Sequence, residues 1–225
     1  MTDGTLRLSV AGEPLALHPA RLIVAGYTAR DEAAVTRHIE ELAAIGVPPP
    51  ASIPTFYDLD PALLSSGPRI EVAGDATSGE VEPVLVRHAG TYFLGVGSDH
   101  TDRALERGDV GTAKAACPKP VGVAVEEIGP DPSIPEWDAI EARSEVDGVP
   151  YQAGPLSVLR HPAEVVERMT ARLGEIAGDL VMFCGTLPLL GGTFVHGRTW
   201  SLSLRLPTGA QLTHTYETHG SRSDS

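Results

Sequence analysis

Apolar residues recur along this chain at two periods. At a spacing of three to four they mark helices. Ala34, Val35, Ile39, Leu42 and Ile45 predict a helix from Asp31 to Ala44, and Val165, Val166, Met169 and Leu173 predict one from Pro162 to Leu173. Thr28 or Asp31 is placed to cap the first, which Gly46 and the run Pro48-Pro49-Pro50 stop. The second opens on a proline, whose fixed φ suits a first helical position. At a spacing of two, apolar and polar residues alternate over 200–206 (WSLSLRL) and 211–216 (QLTHTY), as in half-buried strands. Further strands are predicted over 5–10, 21–25, 69–73, 80–87, 91–97, 121–126, 138–146, 155–160 and 179–184. His88-Ala89-Gly90 separates the pair at 80–87 and 91–97 by a hairpin-sized link. The stretch PPPASIPTFY is held extended by its prolines.

These elements predict an α+β, strand-rich protein. A small αβ N-terminal part over residues 1–65, a candidate lid, precedes a β-rich core over 66–220, with a soft boundary near Ser65-Ser66-Gly67. The 19 prolines and 24 glycines fit short strands joined by many turns better than a helix bundle. A hydrophobic fraction of 42% supports a substantial core. The formal net charge of -13 disfavours nucleic acid and anionic membranes as partners. It leaves room for an anionic substrate, since a bound cation reverses the local field. The start MTDGTLRLSV lacks a basic segment followed by a long apolar run, and only two cysteines are present, Cys117 and Cys184. A cytoplasmic protein with free thiols is the expectation.

Candidate chemistry centres on Glu80-Val81-Glu82. Residues two apart on a strand point to one side, so the two carboxylates repel unless a positive group lies between them. A divalent cation with oxygen ligands, Mg²⁺ or Mn²⁺, suits that role, although a solvated acidic strand face has the same pattern. The hairpin returns its second strand beside the first, which brings Asp99 back to the pair as a third oxygen donor. His100 and Asp102 fall in the same place, so spacing alone leaves the choice open. His38 and Glu41 lie three apart on the first predicted helix and share a face. Such a pair suits general-base work on water, or an exposed surface position equally. Arg103 is expected to pair structurally with Asp102 or Glu106, and Cys117 has no evident base beside it.

In order and spacing, these segments resemble the fumarylacetoacetate hydrolase superfamily over roughly residues 68–215. Its Glu-x-Glu strand is followed by a segment of the type NDxSARDxQ. Here SDHTDRALE keeps Asp99, a hydroxyl at Thr101 and Arg103, with Ala104 in place of the second Asp. The lysine that follows corresponds to Lys114, with Lys119 as competitor. Asp147-Gly148 through Gln152, a helix opened by Pro162, and Gly178-Asp179 through Gly185-Thr186-Leu187-Pro188 resemble the later motifs. Tyr27 after an early strand and the His38–Glu41 pair are similar to the family's N-terminal features.

The resemblance implies a mixed β-roll or sandwich core with Mg²⁺ (or Mn²⁺ or Ca²⁺) on Glu80, Glu82 and Asp99. It implies catalytic roles for His38, Glu41 and Lys114, and substrate contacts from Tyr27, Gly185 and Thr186. The implied activity is hydrolytic carbon–carbon cleavage of a small 2-oxo acid or 1,3-dicarbonyl compound through a stabilised enolate, in a homodimer. A decarboxylase, hydratase or keto–enol isomerase is the alternative on the same site. A non-catalytic metal- or dicarboxylate-binding protein is the alternative of another class.

Overall fold

A computed structural model describes residues 4–44, 49–50 and 52–220, and their side chains except those of Ala34, His38, Glu41, Leu42 and Ala44. In chain order the strands are β1 (Leu6–Val10), β2 (Glu13–Leu17), β3 (Pro19–Gly26), β4 (Thr55–Leu59), β5 (Leu64–Ser65), β6 (Arg69–Val72), β7 (Thr77–Ser78), β8 (Val81–His88) and β9 (Thr91–Ser98). They continue as β10 (Thr101–Asp102), β11 (Lys119–Pro120), β12 (Ala124–Gly129), β13 (Glu141–Val146), β14 (Val149–Pro155), β15 (Asp179–Phe183), β16 (Thr199–Arg205) and β17 (Gln211–Gly220). The helices are α1 (Glu32–Ala44), α2 (Arg103–Glu106), α3 (Val110–Ala115) and α4 (Pro162–Leu173). None of the described helices is long and apolar enough to cross a membrane.

Two sheets carry the structure. The larger has eight strands in the order β2-β1-β12-β9-β8-β15-β3-β4, and the smaller has five in the order β14-β13-β16-β17-β6. Both are mixed: β1 runs parallel to β12, β15 to β3, and β17 to β6. The strand-rich α+β class read from the sequence is therefore what the chain forms. The division near residue 65 is crossed by the larger sheet, in which β2-β1 at one edge and β3-β4 at the other flank β12, β9, β8 and β15. Two parallel pairings make the joins, β1 with β12 and β3 with β15.

Alternation sorts the core into layers. Ile23, Ala25, Leu85, Leu180 and Met182 pack with Val165 and Met169 of α4. Their neighbours Leu22, Val24, Val84, Val86, Val181 and Phe183 form a second cluster on the opposite face with Phe93 and Val125. A third joins Val81, Leu94 and Val96 to Trp200, Leu202 and Tyr216 of the smaller sheet. Because β8 is covered on both faces, it reads as a near-continuous apolar run.

Turns explain most departures from the expected elements. Ala11-Gly12, Ala89-Gly90 and Asp147-Gly148 all have positive φ at both residues, as two-residue hairpins require. The first and third create β2 and β14, neither of which hydrophobic pattern alone reveals. Residues 156–158 form a 3₁₀ turn where a strand was predicted, since β14 ends at Pro155. The helix at 162–173 forms as predicted, with His161 Nδ1 accepting from the Ala163 N–H. Of the two candidate caps for α1, Asp31 accepts from the Ala33 N–H at 2.9 Å.

Gly97 pairs with Glu82 across the β8–β9 hairpin. A Cβ there would lie 2.7 Å from Phe183 Cε1, 2.7 Å from Val84 Cγ2 and 2.8 Å from the Pro120 carbonyl oxygen. Gly97→Ala should therefore destabilise by about 1–3 kcal/mol through overpacking. Urea unfolding tests this, and an unchanged midpoint would contradict the close packing.

Candidate active site

The period-two column that holds Val86 and Val84 on one face of β8 continues through Glu82 to Glu80. On β9 the facing column runs Phe93, Gly95, Gly97, Asp99. At the end of the hairpin away from its turn, the Asp99 N–H donates to the Glu80 carbonyl at 3.1 Å. The expected return of Asp99 to the Glu80–Glu82 pair is thus realised in the backbone. His100 leaves the group: its ring bonds Tyr216 Oη and Thr77 Oγ1, each at 3.0 Å, and burial holds it near pKa 3, neutral. Asp102 caps α2, accepting from the Ala104 and Leu105 N–H groups.

The three carboxylates differ in partners. Glu80 accepts from Arg103 Nη2 at 2.9 Å, and the same guanidinium donates to Glu106 and to Ser78 Oγ. Arg103 therefore pairs with Glu106, as one of the two expected partners, and with Glu80. Asp99 is 1% exposed and receives two ammonium groups, Lys114 Nζ on Oδ2 and Lys119 Nζ 3.2 Å from Oδ1. Burial opposes its charge, but the two lysines prevail and hold it below the usual carboxylate range. Glu82, 3% exposed, accepts the Gly185 N–H at 2.7 Å and has no ion pair among the described residues. Burial, then the neighbouring Asp99 charge, pushes its carboxyl well above the usual range.

Both candidate lysines thus meet at Asp99. Burial works against the Lys114 charge, but Asp99 foremost raises its pKa, so it stays cationic. Its Nζ also sits 5.5 Å from the centroid of the Tyr57 ring. Tyr27 closes the same corner, its hydroxyl pKa raised by burial and by Glu106. Its φ of 57° is unusual for a bulky residue and turns the chain sharply at the end of β3. Burial lifts the Tyr57 phenol to about 12, so both hydroxyls stay protonated at neutral pH.

Gly185 and Thr186 are committed to the scaffold. Gly185 has φ 103°, and a Cβ there would lie 1.7 Å from Thr28 Oγ1, so only glycine brings its N–H to Glu82. Thr186 Oγ1 donates to the Val81 carbonyl and accepts from Gln152 Nε2, both at 2.8 Å. Gln152 Oε1 in turn accepts from the Val81 N–H. This clamp fixes the entry to β8 immediately beside Glu80 and Glu82. The side chains of the His38 and Glu41 pair lie outside those described. Burial pushes Cys117 up to about 11, so its thiol stays protonated at neutral pH.

Sequence reasoning missed Tyr57, which long-range pairing of β4 with β3 brings to the site. It also treated Lys114 and Lys119 as competitors. A compositional signal was present: of 17 basic residues only these two are lysine, and both reach Asp99. No group of three or more His, Cys, Asp or Glu among the described residues is arranged to hold a metal ion. Asp99 is paired with Lys114 and Lys119, and Glu80 with Arg103. The donor chemistry of Glu80, Glu82 and Asp99 is nevertheless the all-oxygen type that suits a divalent cation, and Glu82 is buried with no ion pair among the described residues.

Solved structures show which fold this is. A protein from Oleispira antarctica provisionally named a fumarylacetoacetate isomerase/hydrolase superposes with a TM-score of 0.69 at 19% identity, covering 95% of this chain and 100% of that one. A provisionally named fumarylpyruvate hydrolase from Burkholderia cenocepacia gives 0.69 at 15% identity, covering 99% and 94%. 5-Carboxymethyl-2-hydroxymuconate delta-isomerase from Mycobacterium smegmatis gives 0.62 at 17%, covering 94% and 84%. The fold is thus that of fumarylacetoacetate hydrolase-like proteins, as the ordered motifs implied. Within it, the chain belongs to the family described as protein of unknown function DUF2848, whose model matches residues 25–216. A search of curated proteins finds no match.

Raised in the folded protein, the Glu82 carboxyl contributes most to stability at low pH, and that contribution is lost as pH rises through its folded value. In metal-free protein, Glu82→Gln should therefore be more stable than wild type at pH 8, with the difference gone at pH 4. Thermal unfolding in chelator reads this. A variant less stable at pH 8 would show that Glu82 is already compensated.

Proposed function

We propose that this protein is a divalent-metal-dependent enzyme acting on a small 2-oxo acid or 1,3-dicarbonyl compound, with hydrolytic carbon–carbon cleavage as the reaction. The observation that carries the reading is Glu82, buried beside Asp99 with no cationic side chain paired to it among the described residues. A buried carboxylate in that setting calls for a proton or an external cation. Glu80, Glu82 and Asp99 would hold the cation. When bound, a divalent cation supplies Lewis-acid polarisation of a carbonyl.

The chain's own groups would do the rest. Lys114, cationic and on the least buried side of Asp99, would meet negative charge developing on the substrate. Tyr27 and Tyr57 would line the site with protonated phenols able to donate to substrate oxygens. His38, oriented by Glu41, would take a proton from water as its oxygen bonds the far carbonyl. Scission of the adjacent carbon–carbon bond would release one carboxylate and the enolate of an oxo acid, which a proton then converts to the ketone. Decarboxylation, hydration and keto–enol isomerisation use the same enolate and gain if His38 and Glu41 are not a dyad; in His38→Ala, loss of hydrolysis with retained enolisation supports the dyad. A homodimer of this chain is the proposed assembly.

Calorimetry with Mg²⁺ tests the site. Wild type should bind, and Glu82→Gln should weaken binding by about 100-fold or more, beyond the usual effect of outer-shell partners. Turnover of an acylpyruvate should disappear in chelator and return with Mg²⁺. No heat of binding in wild type, or turnover indifferent to chelator, would reject the reading.

A further inference from the structure

Lys119 is fully buried, yet its ammonium lacks nothing. Its Nζ donates to the carbonyl of His100 at 2.5 Å and to the carbonyl of Lys114 at 2.5 Å, and it lies 3.2 Å from Asp99 Oδ1. Three acceptors for three donors suit a compact ammonium and would not suit a planar guanidinium. Apart from Lys114, every other Lys or Arg position in the sequence is arginine. Lys114 holds the other oxygen of Asp99, but its side chain is 9% exposed and its Nζ lies beside the Tyr57 ring.

We propose that Lys119 is a positioning residue, a second counter-charge of Asp99, and that it frees Lys114 to leave Asp99 for an anionic ligand. Removing the only partner of a buried carboxylate leaves an uncompensated charge, a large penalty. With one lysine on Asp99, departure of Lys114 would incur that penalty. With two, Asp99 stays paired through Lys119 while Lys114 turns to the ligand. Lys119 also bonds the backbone of Lys114 itself, so the base of the moving side chain stays fixed while its tip moves. The inference rests on the oxo-acid reading only in the choice of ligand probe.

Because the chain has two lysines, an amine-acylating reagent followed by peptide mass spectrometry reads each directly, with the N-terminus as internal control. In the folded protein Lys119 should be protected at least tenfold relative to Lys114. Oxalate should slow the acylation of Lys114 at least fivefold, with Mg²⁺ present. In Lys119→Met, folding checked by circular dichroism, Lys114 should become slow in the free protein and unresponsive to oxalate. Conversely, a folded Lys119→Met protein in which oxalate still protects Lys114 as in wild type would overturn the proposal. If Lys119→Met does not fold, the wild-type comparison decides: equal acylation of the two lysines, or a Lys114 rate indifferent to bound oxalate, would overturn it. Oxalate binding is measured separately by calorimetry, so absence of binding counts against the oxo-acid reading, while binding without a Lys114 response counts against the lysine exchange.

Discussion

The pairing of buried charge at one end of the β8–β9 hairpin is the constraint on which the rest of this structure depends. Four carboxylates, Glu80, Glu82, Asp99 and Glu106, face three cations, Arg103, Lys114 and Lys119. Arg103 ties Glu80 to Glu106, and the two lysines share Asp99. Glu82 is left with one backbone N–H. Isolated charges inside a protein are far more costly than any single packing defect, so each of these groups must be held where its partner is. Glu82 has no ion pair among the described residues, and that imbalance is what the proposed cation site would resolve.

The scaffold is arranged to keep that cluster rigid. Gly97 and Gly185 occupy positions where a side chain would strike Phe183 or Thr28, and their absence of bulk lets the sheet close around Glu82. Gln152, with Thr186 and Ser144, clamps the start of β8 from the smaller sheet. Beneath, Thr77, His100, Tyr216 and Ser98 form a connected, neutral hydrogen-bonded layer. A fully satisfied buried network of this kind specifies one arrangement of the backbone above it. Residues 98–100 thereby present Asp99 upward and His100 downward from adjacent positions.

Much of this was written locally in the sequence. The two-residue period of Glu80 and Glu82, and the short link before the second strand, bring the segment from Asp99 to Asp102 back beside the pair; the register of β8 on β9 selects Asp99. The spacing of Val165, Met169 and Leu173 behind Pro162 is enough to define α4. What local patterns do not encode is pairing between distant segments. Tyr57 reaches the site because β4 returns to β3 after about thirty residues, and no spacing within either segment announces that contact. The role of Thr186 was also illegible, since its hydroxyl is spoken for by Gln152, thirty-four positions away. Similarly, the choice between Lys114 and Lys119 was a false one: a short helix and a tight return through Cys117-Pro118 bring both to one carboxylate.

Shared fold with proteins named as hydrolases and isomerases leaves the chemistry to be argued from these residues. The central claim is that the uncompensated Glu82 completes a cation site with Asp99 and Glu80. Its most direct test is a crystal soaked in Mn²⁺ and oxalate, read by anomalous scattering. The account predicts one strong peak within bonding distance of Glu82, Asp99 and Glu80 oxygens, with Lys119 still on Asp99 and Lys114 turned to the oxalate. A peak elsewhere, or none beside Glu82 at saturating Mn²⁺, would contradict it.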